Sequence, residues 1–324
     1  MIKGLAITPP ILGRISIGSV VERNGKRLPV KEDFFTITSQ VQGRNGWVNH
    51  PLDEELRKKA GVDKLRSIPV RVLFNEPDLN LRAEYNMFDR QTGRPLCVGN
   101  GETCRRFTAS GMQNLPCPSP DGCELAKNGA CKPYGRLNVQ IGDEDELGSF
   151  IFRTTGFNSI RTLAARLSYY QAVSGNLLAC LPLELRLRGK STNMSHRSAI
   201  YYVDLTVREG LTLEAAIAAA REMDHRRKEC GFDQAALDRA ALQGFANGAF
   251  EESAEETLET LEEFYPESRD SYPATAYDSN ASDKTLPALV KPVISLKEKL
   301  DKKISNANLA VMSPGSQKPC NGKQ

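Results

Sequence analysis

The chain has 324 residues, 40% hydrophobic and 26% charged, a balance that points to a globular protein with one large core or two modest ones. Its 43 Lys and Arg against 40 Asp and Glu leave a net charge of +3, too small to mark a nucleic-acid binder, because phosphate affinity comes from local clusters of cations. No run approaches the roughly 18 apolar residues of a membrane span. The apolar start Met1-Ile2-Lys3-Gly4-Leu5-Ala6-Ile7 is stopped by Pro9 and Pro10, so no signal peptide and no membrane partner are expected. A cytoplasmic location follows, where thiols stay reduced, and the eight cysteines then need a reading other than disulfides.

In chain order, Gly13–Gly18 and Phe34–Thr38 alternate or cluster like strands on either side of the turn Asn24-Gly25-Lys26-Arg27. Asp53–Ala60 predicts a short exposed helix ended by Gly61, and Ile68–Phe74 another strand. Leu137, Val139 and Ile141 alternate with polar residues, and Ser149–Arg153 resumes the pattern, which predicts a hairpin. Asn158 or Ser159 is the expected cap of a helix whose apolar stripe is Ile160, Leu163, Ala164 and Leu167. Strands are expected at Leu181–Leu187 and Ile200–Val207, then two or three Ala- and Leu-rich helices from Leu211 to Phe264, interrupted at Gly231 and Gly248. Between Glu251 and Asp283 there are eleven acidic residues against the single base Arg269, followed by a Ser-, Pro- and Asn-rich stretch, the pattern of a flexible tail. The Lys-rich segment Lys291–Lys303 is the one part of that tail with helical character.

Cys104, Cys117, Cys123 and Cys131 are separated by twelve, five and seven residues, with Pro116, Pro118, Pro120, Gly122 and Gly129 shaping the intervening loops. Zinc suits four thiolates in a reducing compartment, being redox-inert and content with tetrahedral sulfur, and such closed coordination implies structure and not chemistry. The spacing lacks paired Cys-x-x-Cys knuckles. Cys97, seven residues before Cys104, competes with it for the fourth position, and an iron–sulfur cluster or simply free thiols are the competing readings. Cys180 lies in an apolar stretch and reads as core; Cys320 reads as a tail thiol.

Between Ile151 and Arg208 there are eight Lys or Arg residues and two acids. Arg153, Arg161, Arg166, Arg186, Arg188, Lys190 and Arg197 are candidates for a phosphate-contacting surface, with Tyr169, Tyr170, Tyr201 and Tyr202 available for stacking or packing. The competing reading is a solvated basic face whose tyrosines fill the core. Enzyme signatures are missing: the three histidines His50, His196 and His225 form no metal-protease array, Gly99-Asn100-Gly101 is too short for a dinucleotide loop, and no Walker motif occurs. The expected fold is α+β, mainly an antiparallel sheet with a zinc-stabilised loop region, followed by a helical part and a flexible tail. The expected boundaries are an α+β domain over 1–208 with a zinc-binding insertion at about 96–135, a helical region over 209–265, and a largely disordered acidic-to-basic tail over 266–324.

The residues Leu96-Cys97-Val98-Gly99-Asn100-Gly101, Pro116-Cys117-Pro118, Cys123, Cys131-Lys132-Pro133, Gly135-Arg136-Leu137 and Phe152–Ile160 resemble the phage recombination directionality factor-like family. The resemblance covers roughly residues 10 to 208 and is most specific from Leu96 to Ile160. It implies a protein that binds a large serine integrase and redirects it from integration towards excision by contact, reaching DNA directly or through that partner. Members often carry a hydrolase or metal-binding label; the absent catalytic motifs speak against a zinc hydrolase. The family's Gly-Asp-Gly is here Gly99-Asn100-Gly101, which weakens any case that the loop needs a carboxylate. The alternative function is a single-stranded-DNA-binding or recombination-mediator protein of a mobile element, using the basic segment, with the acidic tail recruiting partners or limiting non-specific binding.

Overall fold

The computed structural model describes residues 7, 10–23, 26–43, 46–143, 148–191, 199–245, 248, 261 and 264. The turn at Asn24-Gly25, Arg197, Cys320 and the tail expected from residue 266 onward, including Lys291–Lys303, lie outside the described residues.

The chain begins with β1 (Ile11–Arg23) and β2 (Lys26–Gly43), long antiparallel partners in register from Gly13↔Ser39 to Arg23↔Lys26 with an irregularity between Ser16 and Gly18. β3 (Gly46–Asn49) folds back on β2. The helix α1 (Pro51–Ala60) starts on Pro51, where a missing N–H costs nothing, and is capped by His50 Nδ1, which accepts from the Leu52 amide at 3.3 Å. It ends at Gly61, whose φ of 64° suits a residue without a Cβ. The expectation of an exposed helix fails at Asp53, which is buried. One of its carboxylate oxygens accepts from the Ile37 amide at 2.9 Å and the other from Arg57 Nε at 2.7 Å, and Arg57 also donates to the Phe35 carbonyl, so the helix is pinned to β2.

β4 (Ser67–Arg71) stops three residues short of the predicted Phe74. The amides of Leu73 and Phe74 turn instead to the side-chain oxygen of the fully buried Asn80, at 3.0 Å each, and Asn80 donates back to the Phe74 carbonyl at 2.7 Å. Asn80 closes the short helix α2 (Pro77–Asn80), which leads into β5 (Leu81–Phe88). Next come β6 (Pro95–Gly99), β7 (Thr103–Thr108), β8 (Gly111–Pro116) and the one-turn helix α3 (Ser119–Gly122). The expected zinc-stabilised loop region is therefore built largely of strands. Its prolines and glycines mark the connections and ends, and alternation is hidden because little of the segment is buried on either face.

β9 (Cys131–Ile141) and β10 (Ser149–Thr154) form the predicted hairpin, paired from Phe150↔Val139 to Thr154↔Gly135. α4 (Phe157–Ser174) follows, then β11 (Leu183–Lys190), β12 (Ile200–Val207), α5 (Leu213–Glu229) and α6 (Gln234–Gly244). The sheet order is β3-β2-β1-β10-β9-β5-β6-β7-β8, with β4, β11 and β12 branching from the Ile141 end of β9. Only β1 and β10 pair in parallel among the described strands, so the fold is α+β on a large, mostly antiparallel sheet with helices towards the C-terminus.

The main core joins Phe35, Ile37, Ile68, Leu137, Phe152, Leu163, Leu167, Leu183, Leu185 and Leu205, with Ala216 and Ala220 of α5 in the same cluster. None of its buried members lies between Leu81 and Leu137. A smaller aromatic cluster joins Phe88 and Tyr134 to Leu261 and Phe264, with the rings of Phe88 and Phe264 edge-on at 4.8 Å.

The start of α4 differs from expectation in a useful way. Its N-cap is Gly156, and Ser159, expected as a cap, is buried with its Oγ accepting from the Val203 amide at 3.1 Å. The backbone of Val207 bonds to the Tyr170 hydroxyl, and the Leu205 amide donates to Asp204 Oδ1 at 2.9 Å. Three alternate positions of β12, which among the described strands pairs only with β11, are thus met by side chains, which leaves less of its edge open to non-specific strand pairing. Of the predicted apolar stripe, Ile160, Leu163 and Leu167 are buried, while Ala164 faces solvent.

Candidate metal centre and nucleic-acid interface

The strands β5 to β9 bring five cysteines to one place. Cys131 opens β9 opposite Met87 of β5; Met87 is in turn opposite Cys97 of β6, and Cys97 is opposite Arg106 of β7. Cys104 lies two residues before Arg106 and shares its face, because side chains alternate along a strand. Cys117 follows β8, where its amide donates to the Glu102 carbonyl at 2.8 Å, and Cys123 ends α3. The close approach depends on Gly99. A Cβ there would lie 2.9 Å from Cys117 Sγ and 2.7 Å from Cys104 Cβ, contacts no side chain tolerates. The adjoining turn needs no carboxylate: Asn100 Oδ1 accepts from the amides of Glu102 and Thr103 at 2.9 and 2.8 Å, a bond that Asn and Asp make alike.

Arg106 sits among the sulfurs. Its Nε is 3.5 Å from Cys97 Sγ, and one terminal nitrogen is 3.9 Å from Cys104 Sγ and 4.0 Å from Cys123 Sγ. The guanidinium's own pKa is raised, chiefly by its bond to Cys97. Burial, followed by the bond to Cys97, pushes the Cys104 thiol up to about 11. Burial and the neighbouring thiols of Cys97, Cys117 and Cys123 push Cys131 up to about 12. The Arg106 contacts put Cys97, Cys104 and Cys123 beside one guanidinium. All five are free thiols, and among the described residues no three Cys, His, Asp or Glu side chains meet at metal-coordination distances.

The donors gathered here are of the type soft metals take, although no three of them among the described residues meet at coordinating distance. The groups gathered are sulfurs with one cation beside them, and a glycine makes room for the Cys117 sulfur where a side chain would close it off. Arg106 was not singled out from the sequence, and Gly99 was read only within Gly99-Asn100-Gly101, not as the residue that makes room for a sulfur. Had residues 103–108 been read as a strand, the period of two would have put Arg106 beside Cys104.

The basic segment divides on inspection. Arg166 and Arg188 both bind Asp204, at 3.1 and 2.6 Å, and Asp204 is 2% exposed. Arg186 binds Glu184 and, at 3.2 Å, Glu209. Lys190 donates to Asn158 Oδ1 at 2.8 Å and lies near the Tyr202 ring. Arg153 pairs across strands with Arg136 and is half-buried. Arg161 is exposed on α4, between Phe157 and Tyr169, which are also exposed. Tyr170 is buried, and Tyr201 and Tyr202 are half-buried. Two of the expected phosphate ligands thus hold a buried carboxylate together, and a third is tied to the buried Glu184 and the exposed Glu209.

The architecture is an α+β domain whose main body carries a cysteine-bearing strand extension. A family model described as recombination directionality factor-like (Gp3-like) matches residues 12–208, a span that takes in both. The chain belongs to this recombination directionality factor-like family, which sets it among phage-related proteins of DNA recombination. No curated protein and no solved structure matches the chain. No described helix is long and apolar enough to cross a membrane.

Proposed function

We propose that the chain is a non-catalytic recombination accessory protein that acts by contact with a serine integrase, shifting it from integration towards excision. The family match over residues 12–208 carries this reading. The geometry supports action through a protein partner, because Arg166, Arg186 and Arg188 are engaged by Asp204, Glu184 and Glu209, leaving Arg161 and Lys190 as the cations most open to phosphate. Direct DNA affinity would then be modest, and most of the DNA contact would come through the recombinase.

The same reading includes a structural zinc ion. Cys117, Cys123 and Cys131 would hold it, with Cys104 or Cys97 as the fourth thiolate, both of which lie against Arg106. Four thiolates and a divalent metal carry two net negative charges, and Arg106 would offset one of them through its N–H···S contacts. The metal's role would be to fix strands that have little apolar core of their own.

The test combines the purified chain with a large serine integrase and DNA bearing the integrase's attachment sites. Excision product that depends on the chain, together with a DNA shift that needs the integrase, is the expected result. Oligonucleotides shifted by the chain alone, with a steep loss of affinity in salt, would instead support the single-strand-binding alternative.

A further inference from the structure

At the opposite end of β9 from the cysteines, two arginines hold one carboxylate among the described residues. Arg71 is the last residue of β4, Arg208 follows β12, Arg227 lies in the last turn of α5, and Asp143 lies in the turn after β9. One terminal nitrogen of Arg71 reaches Asp143 Oδ1 at 3.1 Å, and one of Arg208 reaches both carboxylate oxygens at 2.8 and 2.6 Å. That leaves Nε and Nη1 of Arg71 and Nε and Nη2 of Arg208 buried with no hydrogen-bond partner. The Arg71 side chain is 13% exposed and Arg208 21%, whereas Asp143 is 59% exposed. Burial pulls the Arg71 guanidinium down; Asp143 opposes this, while Arg208 and Arg227 add to it.

Each unsatisfied buried donor costs on the order of 1–3 kcal/mol, and more when charged. One carboxylate brings one charge and two oxygens to two cations that hold four further buried donors, and both of its oxygens are already used. A tetrahedral oxyanion brings more charge and more acceptors, and the guanidinium fork suits it in two-point contact. We propose that Arg71 and Arg208 form a binding site for a phosphate group, with Asp143 as the resident anion that the phosphate displaces. The exposed Asp143 carboxylate can swing to solvent while the arginines remain anchored by burial. The phosphate has two chemical sources, free inorganic phosphate or the phosphodiester backbone of a nucleic acid, and the inference stands apart from the recombinase reading.

The full chain is titrated with inorganic phosphate at constant ionic strength, following binding by calorimetry and the melting temperature. Saturable stabilisation of the wild type is expected. Arg208→Gln should bind at least about tenfold more weakly, the scale of one lost charge-assisted bidentate contact. Asp143→Asn should bind more tightly than wild type, because it removes the competing charge from an exposed position without disturbing the core. Equal stabilisation of wild type and Arg208→Gln, or no gain of affinity in Asp143→Asn, overturns the site. A short DNA duplex separates the sources. If duplex affinity also falls in Arg208→Gln, with a salt slope shallower by about one, the site takes a backbone phosphate; if only inorganic phosphate responds, it takes the free ion.

Discussion

The body of the molecule and the strands that carry the cysteines are held by different physics. The body buries leucines, isoleucines and phenylalanines from both ends of the described chain, with Phe35, Leu137, Leu163, Leu185 and Ala220 in one contiguous cluster. Between Pro95 and Cys131 the buried apolar side chains are Cys97, Val98, Cys104 and Ala126. Three short strands with so little apolar surface to bury have no hydrophobic account of their order, whereas five gathered thiols and a guanidinium supply an electrostatic one once a metal is bound. The body should therefore answer to side-chain volume, and the extension to metal.

The largest expected effect is loss of the metal. Cys117→Ser or Cys123→Ser should abolish stoichiometric zinc, removing on the order of 10 kcal/mol from the extension alone. Metal analysis with amide exchange checks this, and retention of one zinc per chain in both variants would remove the site from the account. Next, Leu185→Ala, at a fully buried position, should cost about 3 kcal/mol in global stability by denaturant unfolding while zinc content stays at wild type. A loss of zinc in that variant would erase the distinction between the regions. Asp204→Ala should cost about 2 kcal/mol, because it strips the acceptor from the Leu205 amide and leaves Arg166 and Arg188 without their shared partner. Both guanidiniums are nearly half exposed, so water recovers part of the loss.

The smallest effect is a slope. Asp238 packs between α6 and the Phe74 loop, where burial raises its pKa above 3.8 although bonds from Gln234 and Asn75 oppose the shift. A carboxyl raised on folding contributes stability that is complete below its unfolded value and lost as pH rises through its folded value. Stability should therefore fall with rising pH across that window in the wild type, and Asp238→Asn should flatten the fall. An unchanged slope in the variant would place the pH dependence elsewhere.

Much of the body was legible in the sequence because burial on one face writes a period. Ile200–Val207 is a strand as read, and the hairpin from Leu137 to Arg153 pairs as read, since its alternate residues enter the core. The cysteine positions were legible too, but not their setting. β7 and β8 carry exposed or half-exposed residues on both faces, so Thr103–Thr108 shows no apolar alternation and Arg106 stayed unnoticed. The basic segment was visible as charge but not as pairing. Asp204 lies 38 residues from Arg166 and 16 from Arg188, and only the packing of α4 on β12 brings Arg166 to the carboxylate. Ser159 failed as a cap for the same reason: the neighbouring strand offered its hydroxyl a buried amide.

The central claim, that the body stands on its apolar core and the cysteine strands on a metal, is tested most directly by amide hydrogen exchange on the full chain before and after zinc is removed with a chelator. The account predicts one zinc per chain at the start, then loss of protection confined to β6, β7, β8 and the first residues of β9, with the core strands β10, β11 and β12 unchanged. A chain isolated without metal, or protection in β6 to β8 that survives chelation, would contradict it.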